Sequence, residues 1–243
     1  MRVSFLAAAI AVGLSAAGSQ AAAANVSVAA TTDIFLASQP DGAAITGFFG
    51  TDTAPDNSPV KFAVSPGGVL TFLATGSTSV DASCFAGPDG GCYGDESSFS
   101  PAPASGTYKG PSNALIGVFL GAGVTDVSMG PASLDYTDPA NISLAGLAPG
   151  LGEIFFIGDG LTGTGAGAVQ EFTAPVGAMF LYIAVADSYG SSVGNPGALS
   201  VDYTGATLVA DAVPEPAAWA LMLLGFGGLG VTLRRRHGIA VAA

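Results

Sequence analysis

Histidine is almost missing from this chain: its one copy, His237, stands close to the C-terminus. A chain body without histidine cannot assemble a Ser-His-Asp triad, a Cys-His pair or a histidine-ligated zinc site. Cysteine is nearly as scarce. Cys84 and Cys92 are the only two, and no histidine or further cysteine stands near them to complete a zinc shell. Between Asn25 and Ala212 the only basic residues are Lys61 and Lys109, whereas all 18 acidic residues except Glu215 fall in that span. Such a surface repels phosphate backbones and anionic lipid, which excludes nucleic acid as a partner and suits Ca²⁺. Lysine, glutamate and glutamine are few there, no stretch repeats apolar residues at the helical period, and no internal repeat is visible. Short strands joined by turns are expected instead. Carboxylate-only hydrolysis in the manner of a glycosidase survives these exclusions. Its candidates Glu96, Glu153 and Glu171 sit in no motif and read as solvated surface charges, so no enzymatic activity is expected.

Both ends of the chain read as addresses. Arg2 precedes an apolar run from Val3 to Ala17, and Ser19-Gln20-Ala21 supplies a small-x-small cleavage site, which makes residues 1–24 a signal peptide. The mature chain is expected to begin between Ala22 and Asn25. At the other end, Pro214-Glu215-Pro216 is followed by the uncharged stretch Ala217 to Leu233 and then by Arg234, Arg235 and Arg236. The prolines disfavour a helix upstream of Ala217. The uncharged stretch is at the short end of what crosses a hydrocarbon core of about 30 Å. The arginines hold its far end on the cytoplasmic side, which places everything before Pro214 outside.

Residues 25–212 then form one domain, long enough for a single core. Apolar or alternating runs occur at Val60–Val64, Val69–Thr75, Ala114–Leu120, Glu153–Ile157, Met179–Ala186 and Ala198–Tyr203, separated by Gly, Pro, Asp and Ser clusters. In the last run Leu199, Val201 and Tyr203 point one way and Ser200 and Asp202 the other, the pattern of a half-buried strand. The expected fold class is all-β, a β-sandwich or jelly roll. Asp41–Pro59 and Ser97–Pro111 read as long irregular surface loops. Cys84 and Cys92, exported and even in number, read as a disulfide that staples a small loop, ahead of a metal site.

One constellation carries chemistry. After the apolar run from Met179, Asp187 is followed by the turn Ser188-Tyr189-Gly190-Ser191-Ser192-Val193-Gly194-Asn195-Pro196 and then by an alternating strand. A carboxylate, an amide oxygen and turn carbonyls are the hard ligands that Ca²⁺ takes, although aspartate and asparagine also cap turns for local reasons.

Pro214-Glu215-Pro216, Trp219, the glycine-bearing apolar span and the arginine cluster together resemble the PEP-CTERM sorting signal, here residues 213–238. The resemblance implies processing near Pro-Glu-Pro by an exosortase-type membrane protease. The protein would be held in the inner membrane and then passed to the cell surface or an exopolysaccharide matrix. The domain itself resembles the small bacterial galactose-binding calcium lectins. This rests on Ala74-Thr75-Gly76, Gly87-Pro88-Asp89-Gly90, Asn113-Ala114-Leu115-Ile116-Gly117-Val118, the segment from Phe155 to Asp187 with its pattern from Gln170 to Ala178, and the Asp187 turn. That resemblance implies a jelly roll in which weakly bound Ca²⁺ is held by Asp187, Asn195, a carbonyl of Ser191 or Ser192, and the carbonyl of Val80. Pro196 stands where a second asparagine is expected, and Cys92, Tyr93, Asp95 and Glu96 stand where a sugar-gripping histidine or glutamine is expected. Two main readings follow: a carbohydrate-contacting surface module supported by Ca²⁺, or a structural protein of the envelope or matrix that binds no sugar. A carboxylate-based glycoside hydrolase is the third.

Overall fold

The computed structural model of the protein describes residues 23–92, 97–99, 108–123 and 127–209. The chain divides after Leu208 into two units, the second running Val209–Ala243. The leader through residue 22, Glu96, the apolar stretch Ala217 to Leu233 and the sorting residues Pro214, Glu215, Pro216, Trp219, Arg234, Arg235 and Arg236 all lie outside the described residues. Among the described residues no helix is long and apolar enough to cross a membrane.

Among the described residues, eight strands carry the two main layers: β1 (Ala24–Ala29), β2 (Val60–Ala63), β3 (Val69–Thr78), β4 (Leu115–Leu120), β5 (Ile154–Phe156), β6 (Glu171–Thr173), β7 (Phe180–Val185) and β8 (Gly197–Thr204). They pair antiparallel in a nested set: β1 with β8, β2 with β7, β3 with β6 and β4 with β5. β8 also pairs with β3, and β7 with β4. Two layers result, β1-β8-β3-β6 and β5-β4-β7-β2. Each gains one short edge strand: Gly146–Leu147 runs parallel to β6, and Thr207–Leu208 antiparallel to β2. Nested pairing of this kind is what a long hairpin produces when it is wound into two packed sheets, a jelly roll. The domain is the expected all-β sandwich.

The burial of each strand follows its side-chain pattern. In β8, Leu199, Val201 and Tyr203 are buried while Ser200 and Asp202 face solvent. β4 is buried along its whole length, and β7 is buried from Leu181 to Val185. Both are central strands covered on two faces, so they read as unbroken apolar runs. The short 3-10 turn Ile34–Leu36 supplies part of that cover, packing on both. Between the sheets runs a chain of aromatic rings. Phe119 stacks on Phe155 at 5.1 Å, Phe155 meets Phe172 at 5.6 Å, and Phe172 meets Phe72 edge to face at 5.5 Å. The first two rings come from β4 and β5 and the last two from β6 and β3, so the chain joins the layers. Each buried ring contributes roughly 1.5–3 kcal/mol by leaving water.

Two stretches expected to be irregular contain short paired strands. Asp41–Pro59 contains the hairpin Ala44–Thr46 and Thr51–Thr53, and Ser97–Pro111 contains the pair Ser97–Phe99 and Tyr108–Gly110. Arms this short carry too few residues for a period of two to show against a polar, glycine-rich background. Cys84 and Cys92 are joined by a disulfide.

Candidate functional site

The turn from Asp187 to Pro196 leaves β7 in one sheet and enters β8 in the other, so it closes one end of the sandwich. Asp187, the second residue after β7, has both carboxylate oxygens engaged. Oδ1 accepts from the Ser188 amide at 2.6 Å, and Oδ2 accepts from Asn195 Nδ2 at 2.6 Å. Burial pushes this carboxyl up to about 6, against the pull of the Asn195 and Ser188 bonds and with a push from the Asp52 charge. Ser191 and Ser192 are buried in the same turn. The Ser192 carbonyl accepts the Asn195 amide at 3.2 Å, and the Ser188 carbonyl accepts the Ser191 amide at 3.1 Å. Val80 follows Ser79, whose amide donates to the Pro196 carbonyl at 3.0 Å, which places Val80 on the chain segment alongside Asn195.

Two residues that sequence reasoning did not single out hold this turn from outside. Asp52, on the hairpin arm Thr51–Thr53, is 0% exposed and accepts the amides of Ser192 at 2.8 Å and Val193 at 2.6 Å. Asp33, 3% exposed, caps the Ile34–Leu36 turn by accepting the Phe35 amide at 2.8 Å, and its other oxygen accepts the Gly190 amide at 3.1 Å. Burial lifts the Asp33 carboxyl to about 7. The Phe35 and Gly190 amides act against that rise, while a hydrogen bond and charge repulsion from Asp52 act with it. Gly190 is the only residue type that suits its place. Its φ is +63°, and a Cβ there would stand 2.5 Å from the Gly47 nitrogen. The hairpin and the turn are thus bonded backbone to backbone, Gly47 N–H to the Gly190 carbonyl at 3.2 Å.

Among the described residues the basic side chains are Lys61 and Lys109, and both are engaged elsewhere. Lys61 lies over the Phe180 ring at 4.2 Å, and Lys109 pairs with Asp135. Among the described residues no lysine or arginine meets Asp33, Asp52 and Asp187; backbone amides and the Asn195 Nδ2–H meet them instead. No group of three or more His, Cys, Asp or Glu among the described residues is arranged to hold a metal. Of the residues singled out from sequence, Asp187 and Asn195 are brought into contact, through the Asn195 Nδ2–H that Asp187 Oδ2 accepts. Of the other carboxylates singled out from sequence, Glu153 caps a turn by accepting the Gly150 amide at 2.7 Å, and Glu171 is exposed on β6. The tip of the hairpin carries Phe48 and Phe49, 90% and 76% exposed, with their rings 4.8 Å apart edge to face. The Phe49 amide donates to Ser191 Oγ at 3.4 Å, so the pair is fastened to the Asp187 turn.

Set against known proteins, residues 212–236 match the PEP-CTERM protein-sorting motif. No curated protein matches the chain. The motif marks an exported protein that is anchored in the membrane, processed by an exosortase-type enzyme and released at the surface.

Proposed function

We propose that the released jelly roll is a non-enzymatic module that contacts extracellular polysaccharide through the end bearing the Asp187 turn. In this reading Ca²⁺ supports the turn. The observation that carries it is the solvent-exposed Phe48–Phe49 pair, bonded to the very turn whose donors fit an oxygen-loving cation. Sugar rings present apolar C–H faces that rest on aromatic side chains, and an acidic, lysine-poor surface leaves neutral polymers as its natural partners. Asp187 and Asn195 would hold the ion by side chain, with carbonyls of Ser191 or Ser192 and of Val80 completing the protein share. Bound there, Ca²⁺ neutralises the Asp187 carboxylate and ties the β7–β8 crossing.

A second reading has its own support. Asp187 is already satisfied by Asn195 and Ser188, so the turn keeps its shape without an ion. On that basis the domain is a structural component of the matrix and binds no sugar. Retention of the exported protein on the polysaccharide of its host, in millimolar Ca²⁺ and in EDTA, separates the two. Calcium-dependent retention that drops several-fold when Phe48 and Phe49 are changed to serine, with melting unaltered, supports the module. Absence of retention together with equal melting in Ca²⁺ and EDTA supports the structural protein.

A further inference from the structure

A cavity of about 180 Å³, lined by none of the residues of the Asp187 turn, opens in the wall of the domain. Asp89, Ser143 and Thr164 line it together with Ile142, Phe156 and Leu161, which supply apolar surface. We propose that this cavity is a binding site for one neutral, hydroxyl-bearing ring of pyranose size. The inference takes the sugar class from the reading above but not its location, and the two can fail separately.

Each wall is fastened by a bond of its own. The Asp89 carboxyl is fixed by the Asp159 amide, which donates to Oδ1 at 2.8 Å, and by the Thr164 hydroxyl. Asp159 is itself buried and accepts the amides of Leu161 at 2.8 Å and Gly165 at 2.6 Å, which sets the hairpin of Leu161–Gly163 and Ala166–Val169, with Leu161 on its first arm and Thr164 in its turn. Gln170 is buried and donates its amide nitrogen to the carbonyls of Ile142 at 3.0 Å and Leu144 at 2.7 Å, which sets the turn that carries Ile142 and Ser143. The disulfide from Cys84 to Cys92 encloses the loop that presents Asp89. Gly158, at φ +61°, lets the chain pass beside Asp89, since a Cβ there would stand 2.6 Å from Oδ1. An unfilled space costs stability, and walls held this firmly cannot collapse to recover it. Such preorganisation is what a small-ligand pocket needs.

The lining chooses the ligand. No basic side chain faces the space, so an anion finds no partner. The Asp89 carboxylate keeps acceptor capacity beyond its bonds to Asp159 and Thr164, and the Ser143 and Thr164 hydroxyls, whose protons go to the Pro139 carbonyl and to Asp89, still accept, which suits a ligand rich in O–H donors. The apolar wall matches the C–H face of a sugar ring. Such a ring is either a free sugar or the end of a chain.

Saturation-transfer NMR of methyl pyranosides with the intact exported protein tests this. Ile142→Trp fills the cavity from a half-buried surface turn, and Thr164→Val removes a hydroxyl at nearly constant volume. Each should weaken the signal roughly tenfold or more, the consequence of a lost fit or an unpaired ligand hydroxyl. Thermal melting must remain close to wild type in the variant used. Signal that survives in both variants, or that vanishes only on changing Phe48 and Phe49 to serine, overturns the site while leaving the polysaccharide reading intact. A stronger signal from cyclohexylammonium than from any pyranoside also overturns it. In the supporting case, polysaccharide that competes with the pyranoside identifies a chain end, and polysaccharide that does not identifies a free sugar.

Discussion

Changing Asp33 to asparagine keeps the shape of a buried side chain and removes its charge, and the structure fixes the sign of the result. In the folded protein the Asp33 carboxyl titrates near 7, against 3.8 for the ordinary group, because it is buried and hydrogen-bonded to Asp52. A carboxyl raised in this way binds a proton more tightly in the folded state. Its contribution is complete below about 3.8 and is lost as pH rises through about 7. The interval corresponds to about 4 kcal/mol. Asp187, lifted to about 6, and Asp89, also raised by burial, add slopes of the same sign. Asp135, held near 2 by Lys109, has completed its titration before this window opens and adds nothing to it. Urea midpoints measured across the interval should fall toward alkaline pH in the wild type. Asp33→Asn cannot lose a proton, so its curve should be flatter than that of the wild type across this interval. A wild-type midpoint that stays level or rises over that range would refute the placement of two carboxyls in contact beneath the turn.

Phe172→Ala removes the ring that joins Phe155 of one sheet to Phe72 of the other. It should cost about 3–5 kcal/mol in denaturant titration, and a loss below about 1 kcal/mol would show that the ring chain does not bridge the layers. Replacing Cys84 and Cys92 with serine opens the small loop they close, for an expected loss of about 2–3 kcal/mol. Thiol labelling of unreduced, denatured wild type should be negative. At the C-terminus, mass spectrometry of the surface fraction should find chains ending between Ala212 and Ala217, within the matched motif. Chains that all retain Trp219 to Arg236 would contradict removal of the membrane segment.

How far the fold could be read from sequence depended on how much each strand buries. β4 and β7 announce themselves because both their faces are covered, and β8 because its one buried face alternates cleanly. β6 could not be found in the same way. It is three residues long and sends only Phe172 inward, which leaves no period to detect. β1 merges on the sequence with the alanines of the leader, yet it runs the length of β8, from Ala24 opposite Tyr203 to Ala29 opposite Ala198. Processing beyond Asn25 would therefore strip an edge strand from the sheet.

The candidate site divides along the same line. Asp187 and Asn195 were legible because a turn of this length brings its own ends together. Asp33 and Asp52 were not, since the bonds they make span 157 and 140 residues and no local pattern encodes them. One signal was available: Asp52 alternates with Thr51 and Thr53, so that the inward position of a short strand holds a charge where an apolar side chain is usual. The turn explains the choice. Gly190, Ser192 and Val193 point their amides into the protein, and an unmet buried amide costs more than a typical hydrogen bond returns. A hydroxyl or carboxamide offers fewer acceptor sites than a carboxylate, which can take two amides at once, as Asp52 does. The consequence is negative charge gathered under one loop with no lysine or arginine among the described residues to meet it. Asp33 answers that charge by keeping its proton close to neutral pH. Asp187, nearer the surface, answers it with two donors of its own turn, the Ser188 amide and the Asn195 Nδ2–H.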